Sequence, residues 1–217
     1  MYHLYFSPGA CSVAPHIVLE EIGRPYTTEL RRVDLASKAE HITDPAYLKI
    51  NPKGRVPALR TTDGVLTEAP AILLYLAHKH PEAGLLPSNA EAEARCCEWM
   101  AWASTAIHAV AFGQIIRPQR FVGDAKDYPA VIAKGRQNLA EAFALVERQL
   151  QGRDWAVPGG YTIADPYLLF YYRAAKIAGV PMEQRFPLWT ALSERVMARP
   201  AVERVLKREA EALAGGV

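Results

Sequence analysis

Cys11 is the residue in this chain best placed to do chemistry. It stands in the run Tyr5-Phe6-Ser7-Pro8-Gly9-Ala10-Cys11-Ser12, which reads as a strand passing through a tight turn into a helix. A thiol at a helix entrance faces unpaired amides and the positive end of the helix dipole, and both favour the thiolate. Gly9 allows a tight turn and Pro8 restricts the backbone before it. Ser12 and Tyr5 are rival hydrogen-bond donors to sulfur near the same place. Read for structure alone, Cys11 is a small buried hydrophobe, the usual fate of a free cysteine. Position 14 is Ala, so no resolving cysteine lies one turn away and a dithiol cycle is disfavoured.

A second segment, Asn51-Pro52-Lys53-Gly54-Arg55-Val56-Pro57-Ala58-Leu59, ends in Val-Pro before an apolar strand. X-Pro bonds adopt cis readily. A cis bond at Val56-Pro57 would turn the Val56 amide and carbonyl sideways, free to pair with an extended peptide. A γ-glutamyl tripeptide is one such ligand. The ordinary alternative is a trans proline opening a strand. Glu68 falls at the start of a helix, where its charge suits the dipole. It could also receive an ammonium while the Ala69 amide receives a carboxylate. Lys38 and Lys53 are candidate partners for a further carboxylate, though lone lysines are by default solvated.

The elements needed to position these groups follow from pattern. Tyr2 to Phe6 and Tyr26 to Val33 read as strands, with a helix from Ser12 to Ile22 between them. Ser37 to Leu48 is a weaker helix interrupted by Pro45. Val56 to Arg60 and Val65 to Thr67 flank the turn signal Asp63-Gly64, and Glu68 to Lys79 is helical. After His80-Pro81 only helices are expected: Ala90 to Ile116, Pro129 to Leu150, Thr162 to Ala178, Pro187 to Ala198 and Pro200 to Ala214. Thr162-x-x-Asp165 is a capping-box variant at a helix start. The expected organisation is residues 1–80 as an α/β unit, 81–89 as a linker and 90–217 as a helical bundle.

Composition narrows the function class. The 217 residues carry 25 Lys plus Arg against 23 Asp plus Glu, a balance that argues against a nucleic-acid or membrane-surface specialist. No run approaches a membrane helix and no secretory signal is visible at the start. Three cysteines, with Cys96 and Cys97 adjacent, suit a reducing cytoplasmic home.

Taken together, these residues resemble a cytosolic glutathione S-transferase, most closely the bacterial beta class. The resemblance rests on Tyr5 to Ser12, Asn51 to Leu59 and Leu66-Thr67-Glu68 leading into Ala71-Ile72 and Tyr75-Leu76. It continues through Glu98-Trp99, His108, Arg117-Pro118 and Thr162-Ile163-Ala164-Asp165. It covers nearly the whole chain in order. It implies a thioredoxin-like α/β N-terminal domain, an all-α C-terminal bundle, glutathione as cosubstrate, no metal, and a homodimer. It implies that Cys11 lies beside the glutathione sulfur and can form a mixed disulfide with it. Val56, with Pro57, would pair with the cysteinyl backbone. Glu68 and Ala69 would hold the γ-glutamyl end, while Tyr5, Lys38 and Asn51 would line the site. His108 shares a helical face with Ala101, Ser104, Thr105, Phe112 and Ile115, which alone suggests a satisfied interior histidine. Only the resemblance makes His108 a catalytic candidate, beside Cys11 and Ser12.

Three departures stand out against the family pattern. Ala69 replaces a frequent hydroxyl, Ala101 a polar residue that reaches the partner's ligand, and Ala109 a frequent lysine. The activity implied is conjugation of glutathione to a hydrophobic electrophile. The alternatives are a glutathione-dependent thiol transferase or peroxidase working through a Cys11 mixed disulfide, and a non-catalytic glutathione-binding protein. Trp99, Trp102, Tyr167, Tyr171 and Tyr172 read as packing, Cys96 and Cys97 as thiols without function, and Arg117 and Arg120 as solvated charges at a helix end.

Overall fold

A computed structural model of the chain describes residues 1–32 and 41–215. Its sheet has four strands in the order β2-β1-β3-β4: β1 (Tyr2–Phe6), β2 (Tyr26–Leu30), β3 (Ala58–Thr61) and β4 (Gly64–Thr67). β1 and β2 run parallel, joined through α1 (Val13–Ile22), while β1 with β3 and β3 with β4 are antiparallel. This is the thioredoxin-like arrangement expected: β1 has the expected bounds, β3 is shifted to Ala58–Thr61, and β4 starts one residue earlier, at Gly64. The second strand, expected to reach Val33, ends at Leu30; Arg31 and Arg32 lie beyond it, and Val33 lies outside the described residues.

Strand alternation sorts β1 between two faces. Leu4 and Phe6 enter the main core with α1 and α3 (Ala69–Lys79). Tyr5 goes to the other face with Tyr47, Val56 and Ala58. Tyr47 belongs to α2 (Pro45–Leu48). Pro45 opens this helix, contrary to the expectation that it interrupts one. Asp44 caps the helix by accepting from the Ala46 amide at 2.9 Å, and proline suits a first-turn position whose N–H has no helical partner.

Beyond α3 the described residues are helical or irregular. α4 (Ala90–Trp102) continues unbroken through a π-helical stretch (Ala103–Phe112) into α5 (Gly113–Ile116). α6 (Tyr128–Gln149), α7 (Ala164–Ile177), α8 (Met182–Arg185), α9 (Pro187–Met197) and α10 (Pro200–Ala214) follow. The short α8 has no counterpart in the sequence reading, because four residues are too few to show a period. Among the described residues no helix is long and apolar enough to cross a membrane.

α1 is the junction of the molecule. It packs on α3 at one side and on α7 and α10 at the other. The sequence showed an apolar stripe of Val13, Ile17 and Val18, but every residue from Val13 to Leu19 is buried. Each such aliphatic side chain contributes about 1.5–3 kcal/mol by leaving water. The helix that follows the thiol-bearing turn is therefore buried all round over Val13 to Leu19.

Candidate active site

The turn before α1 is fixed by its own polar groups. Ser7 accepts from the Ala10 amide at 3.1 Å and from the Ser12 hydroxyl at 3.0 Å, and the Ser7 amide donates back to Ser12 Oγ at 3.1 Å. Ser12 is fully buried in this exchange. Its hydroxyl closes the turn; it is not held out toward Cys11. Tyr5 is also engaged elsewhere. It is buried on the α2 face, and its hydroxyl accepts from Arg60 Nη2 at 3.2 Å. Arg60 pairs in register with His3, so the phenol points back along β1, away from the turn.

Cys11 is half-buried and its thiol donates toward the Val56 carbonyl at 3.7 Å. The Val56-Pro57 bond is cis, and Val56 precedes β3 and is not one of its residues. The two motifs read from sequence thus meet at sulfur and carbonyl. The electrostatics correct one expectation. Burial pushes the Cys11 thiol up to about 12, outweighing the pull of its own backbone amide at the helix entrance; the negative charge of Glu68 adds to the rise and Arg55 opposes it. Unliganded Cys11 is a neutral thiol and a hydrogen-bond donor.

Asn51 shapes the loop from inside. Fully buried, it donates to the Arg55 carbonyl at 2.6 Å and accepts from the Lys53 amide at 3.1 Å. Tyr47 donates to the same Arg55 carbonyl at 2.7 Å. Gly54 must be glycine: its φ is +60°, and a Cβ would meet the Ile42 carbonyl at 2.6 Å.

Glu68 is the one described non-glycine residue with positive φ, at 70°. This sparsely populated backbone sits directly before α3, where strain often accompanies ligand contact. Its carboxylate is exposed and pairs with Lys53 Nζ at 2.6 Å, and the same ammonium donates to Thr67 at 2.8 Å. Lys53 is therefore already engaged with Glu68. Lys38 lies outside the described residues.

His108 lies in the π-helical stretch. There each turn takes more residues than 3.6, so the face assigned by ordinary helical spacing does not apply. The ring packs at 5.8 Å from Phe170 and 6.2 Å from Tyr171, and His108 is exposed on its other side. Desolvation against this wall, then the positive charges of Arg55, Arg117 and Arg120, push its pKa down to about 4, with Glu68 opposing. At neutral pH it is an uncharged imidazole. The charges of Arg55 and Glu68 bear on both Cys11 and His108.

Sequence reasoning missed a buried, hydrogen-bonded tyrosine pair, one member of which packs against His108. Tyr171 donates to the Tyr167 hydroxyl at 2.8 Å, which is 2.7 Å from Ser104 Oγ. Burial raises both phenols, and the negative charge that an ionised Cys11 would carry adds to the rise. The i, i+4 pairing of Tyr167 and Tyr171 on one helix was the available signal.

Residues 9–79 match the family model described as glutathione S-transferase, N-terminal domain, and residues 104–200 match that of the C-terminal domain. A curated relative, glutathione S-transferase GstA of Escherichia coli O157:H7, is 35% identical over 208 residues, covering 95% of this chain and 98% of that protein. This chain is a glutathione S-transferase family member. A solved glutathione transferase homologue from Sulfitobacter, crystallised with bound glutathione, superposes on this transferase with a TM-score of 0.86 at 33% identity, covering 96% of this chain and 98% of that one. A bacterial beta class enzyme from Sphingomonas chungbukensis superposes with a TM-score of 0.79 at 31% identity, covering 95% and 98%.

Proposed function

We propose that the cleft between the α1 turn and the π-helical stretch binds glutathione and conjugates its thiolate to a hydrophobic electrophile. The observation that carries this reading is the meeting of the Cys11 thiol with the Val56 carbonyl beside the strained start of α3. An extended tripeptide laid along Val56 pairs its cysteinyl backbone there. Its sulfur then reaches the turn, where Cys11 turns its S–H from Val56 to the incoming sulfur. A neutral donor of this kind stabilises a thiolate without competing as a nucleophile. Glu68 takes the γ-glutamyl ammonium, exchanging part of its contact with Lys53, and the Ala69 amide at the start of α3 takes the carboxylate. Lys38 is the candidate for the glycine carboxylate. Neutral His108 faces the sulfur from the opposite wall. The electrophile packs against the exposed side of the π-helical stretch beside His108, which Phe170 and Tyr171 back from within. Rate enhancement then comes from thiolate stabilisation and proximity. The domain division at residues 81–89, a homodimer and a cytoplasmic location complete the proposal.

The Cys11→Ala variant separates conjugation from thiol transfer. Turnover of a model aryl halide should persist within about tenfold of the parent, the loss of one donor. Glutathione-dependent disulfide exchange should fall to background. Loss of both activities together would show that Cys11 carries the covalent chemistry, in favour of the thiol transferase reading.

A further inference from the structure

We infer that Glu209, on the last helix, is a positioning residue that holds the Cys11 turn in its reactive geometry. The inference rests on the glutathione site proposed above. α10 buries Ala201, Val202, Val205 and Glu209, so a carboxylate occupies a place on an otherwise apolar stripe. Glu209 is 2% exposed. Its Oε2 accepts the Gly9 amide at 3.1 Å across 200 positions of chain. Its Oε1 lies 3.6 Å from His16 Nδ1 of α1, and Arg173 of α7 adds a positive charge nearby.

A buried carboxylate is costly unless well compensated. Compensation here is thin: Glu209 Oε1, both His16 nitrogens and Arg173 Nη1 make no hydrogen bond among the described residues. A leucine would serve packing better. The bond Glu209 does make is to the turn, two residues before Cys11. Gly9 has φ +74°, and its amide donates to Glu209 and not to a group of the turn. Ser12 and Ser7 satisfy one another and Ala10. Glu209 is thus the contact through which the C-terminal helix sets the position of the turn.

Docking of α10 does not depend on this carboxylate. Arg199 pairs with Glu21 at 2.6 Å, and Arg204 and Arg208 each pair with Glu20 at 2.6 Å, on the outer side of the same helices. The Glu209→Leu variant should therefore fold.

The test measures three quantities in Glu209→Leu and Glu209→Gln: thermal midpoint, iodoacetamide labelling of the Cys11 peptide by mass spectrometry, and glutathione affinity by calorimetry. Freed from α10, the turn in Glu209→Leu should open more often, with Cys11 labelling faster and glutathione binding weaker, each about tenfold. Glu209→Gln keeps an oxygen for the Gly9 amide and should stay within about threefold of the parent. A folded Glu209→Leu with labelling and affinity unchanged would overturn the inference. So would Leu and Gln variants shifted alike. Should Glu209→Leu fail to fold, Glu209→Asp decides: a carboxylate one methylene shorter should label more than about threefold faster, and an unchanged rate overturns the inference. A parent protein that binds no glutathione would refute the functional proposal, while the labelling rates would still judge Glu209.

Discussion

At pH 7.5 the Cys11 thiol of the unliganded protein should react with iodoacetamide about a hundredfold more slowly than free cysteine. A free thiol with pKa near 8.5 is about one-tenth ionised at that pH; one near 12 is ionised to roughly three parts in a hundred thousand. The higher basicity of the rarer thiolate recovers about thirtyfold through its greater intrinsic nucleophilicity. The rate should climb about tenfold per pH unit from 7 to 10 without a plateau. A plateau below pH 8, at a rate matching free cysteine, would mean that the helix entrance outweighs burial and that Cys11 itself is the nucleophile. Labelling must be read on the Cys11 peptide, because Cys97 is also half-buried.

Asp165→Ala should destabilise the protein by roughly 3 kcal/mol, lowering the midpoint by about 6–12 °C. Asp165 is fully buried and accepts from the Ala156 amide at 2.8 Å, the Thr162 amide at 2.7 Å and the Thr162 hydroxyl at 3.2 Å. It ties the loop before α7 to the helix that carries Tyr167 and Tyr171. Alanine leaves two buried amides without an acceptor. The pH dependence follows the same group. Burial pushes the Asp165 carboxyl up to about 6, the three hydrogen bonds opposing. The folded state then holds the proton more tightly than the unfolded chain, whose value is near 3.9. Asp165 therefore lowers stability as pH rises from about 4 to about 6, and the alanine variant should lack that slope. Denaturant titrations across this range measure both. A variant within about 0.5 kcal/mol of the parent would show that the loop has other anchors.

The sequence made the frame of the site legible because that frame is local. β1, the turn and α1 follow from a short apolar run, Pro8-Gly9 and helical spacing, and the β3–β4 hairpin from Asp63-Gly64. The pairing of the Cys11 turn with Val56 came from the family pattern, since no propensity brings residues 45 positions apart together. What stayed hidden depended on balances or on tertiary contact. The sign of the Cys11 shift is a contest between helix-entrance amides and burial, and only the packed structure fixes the burial. Ser12 and Tyr5 looked like donors to sulfur by proximity in sequence, but closure of the turn claims one hydroxyl and sheet alternation turns the other to the far face. His108 resisted face assignment because the helix departs from the ordinary period where it lies. Glu209 was unreadable for the plainest reason: α10 carries several glutamates, and only the docked helix shows which one turns inward to Gly9.

In the proposed mechanism, bound glutathione is ionised beside a protein thiol that stays protonated. An ultraviolet thiolate difference titration on adding glutathione tests it cleanly, because a Cys11 thiol near 12 contributes no thiolate signal at neutral pH. About one equivalent of thiolate is expected at pH 7.5, titrating with an apparent pKa roughly two units below the free value, in the parent and, less strongly, in Cys11→Ala. Saturating glutathione with no thiolate beyond that of the free tripeptide would contradict it.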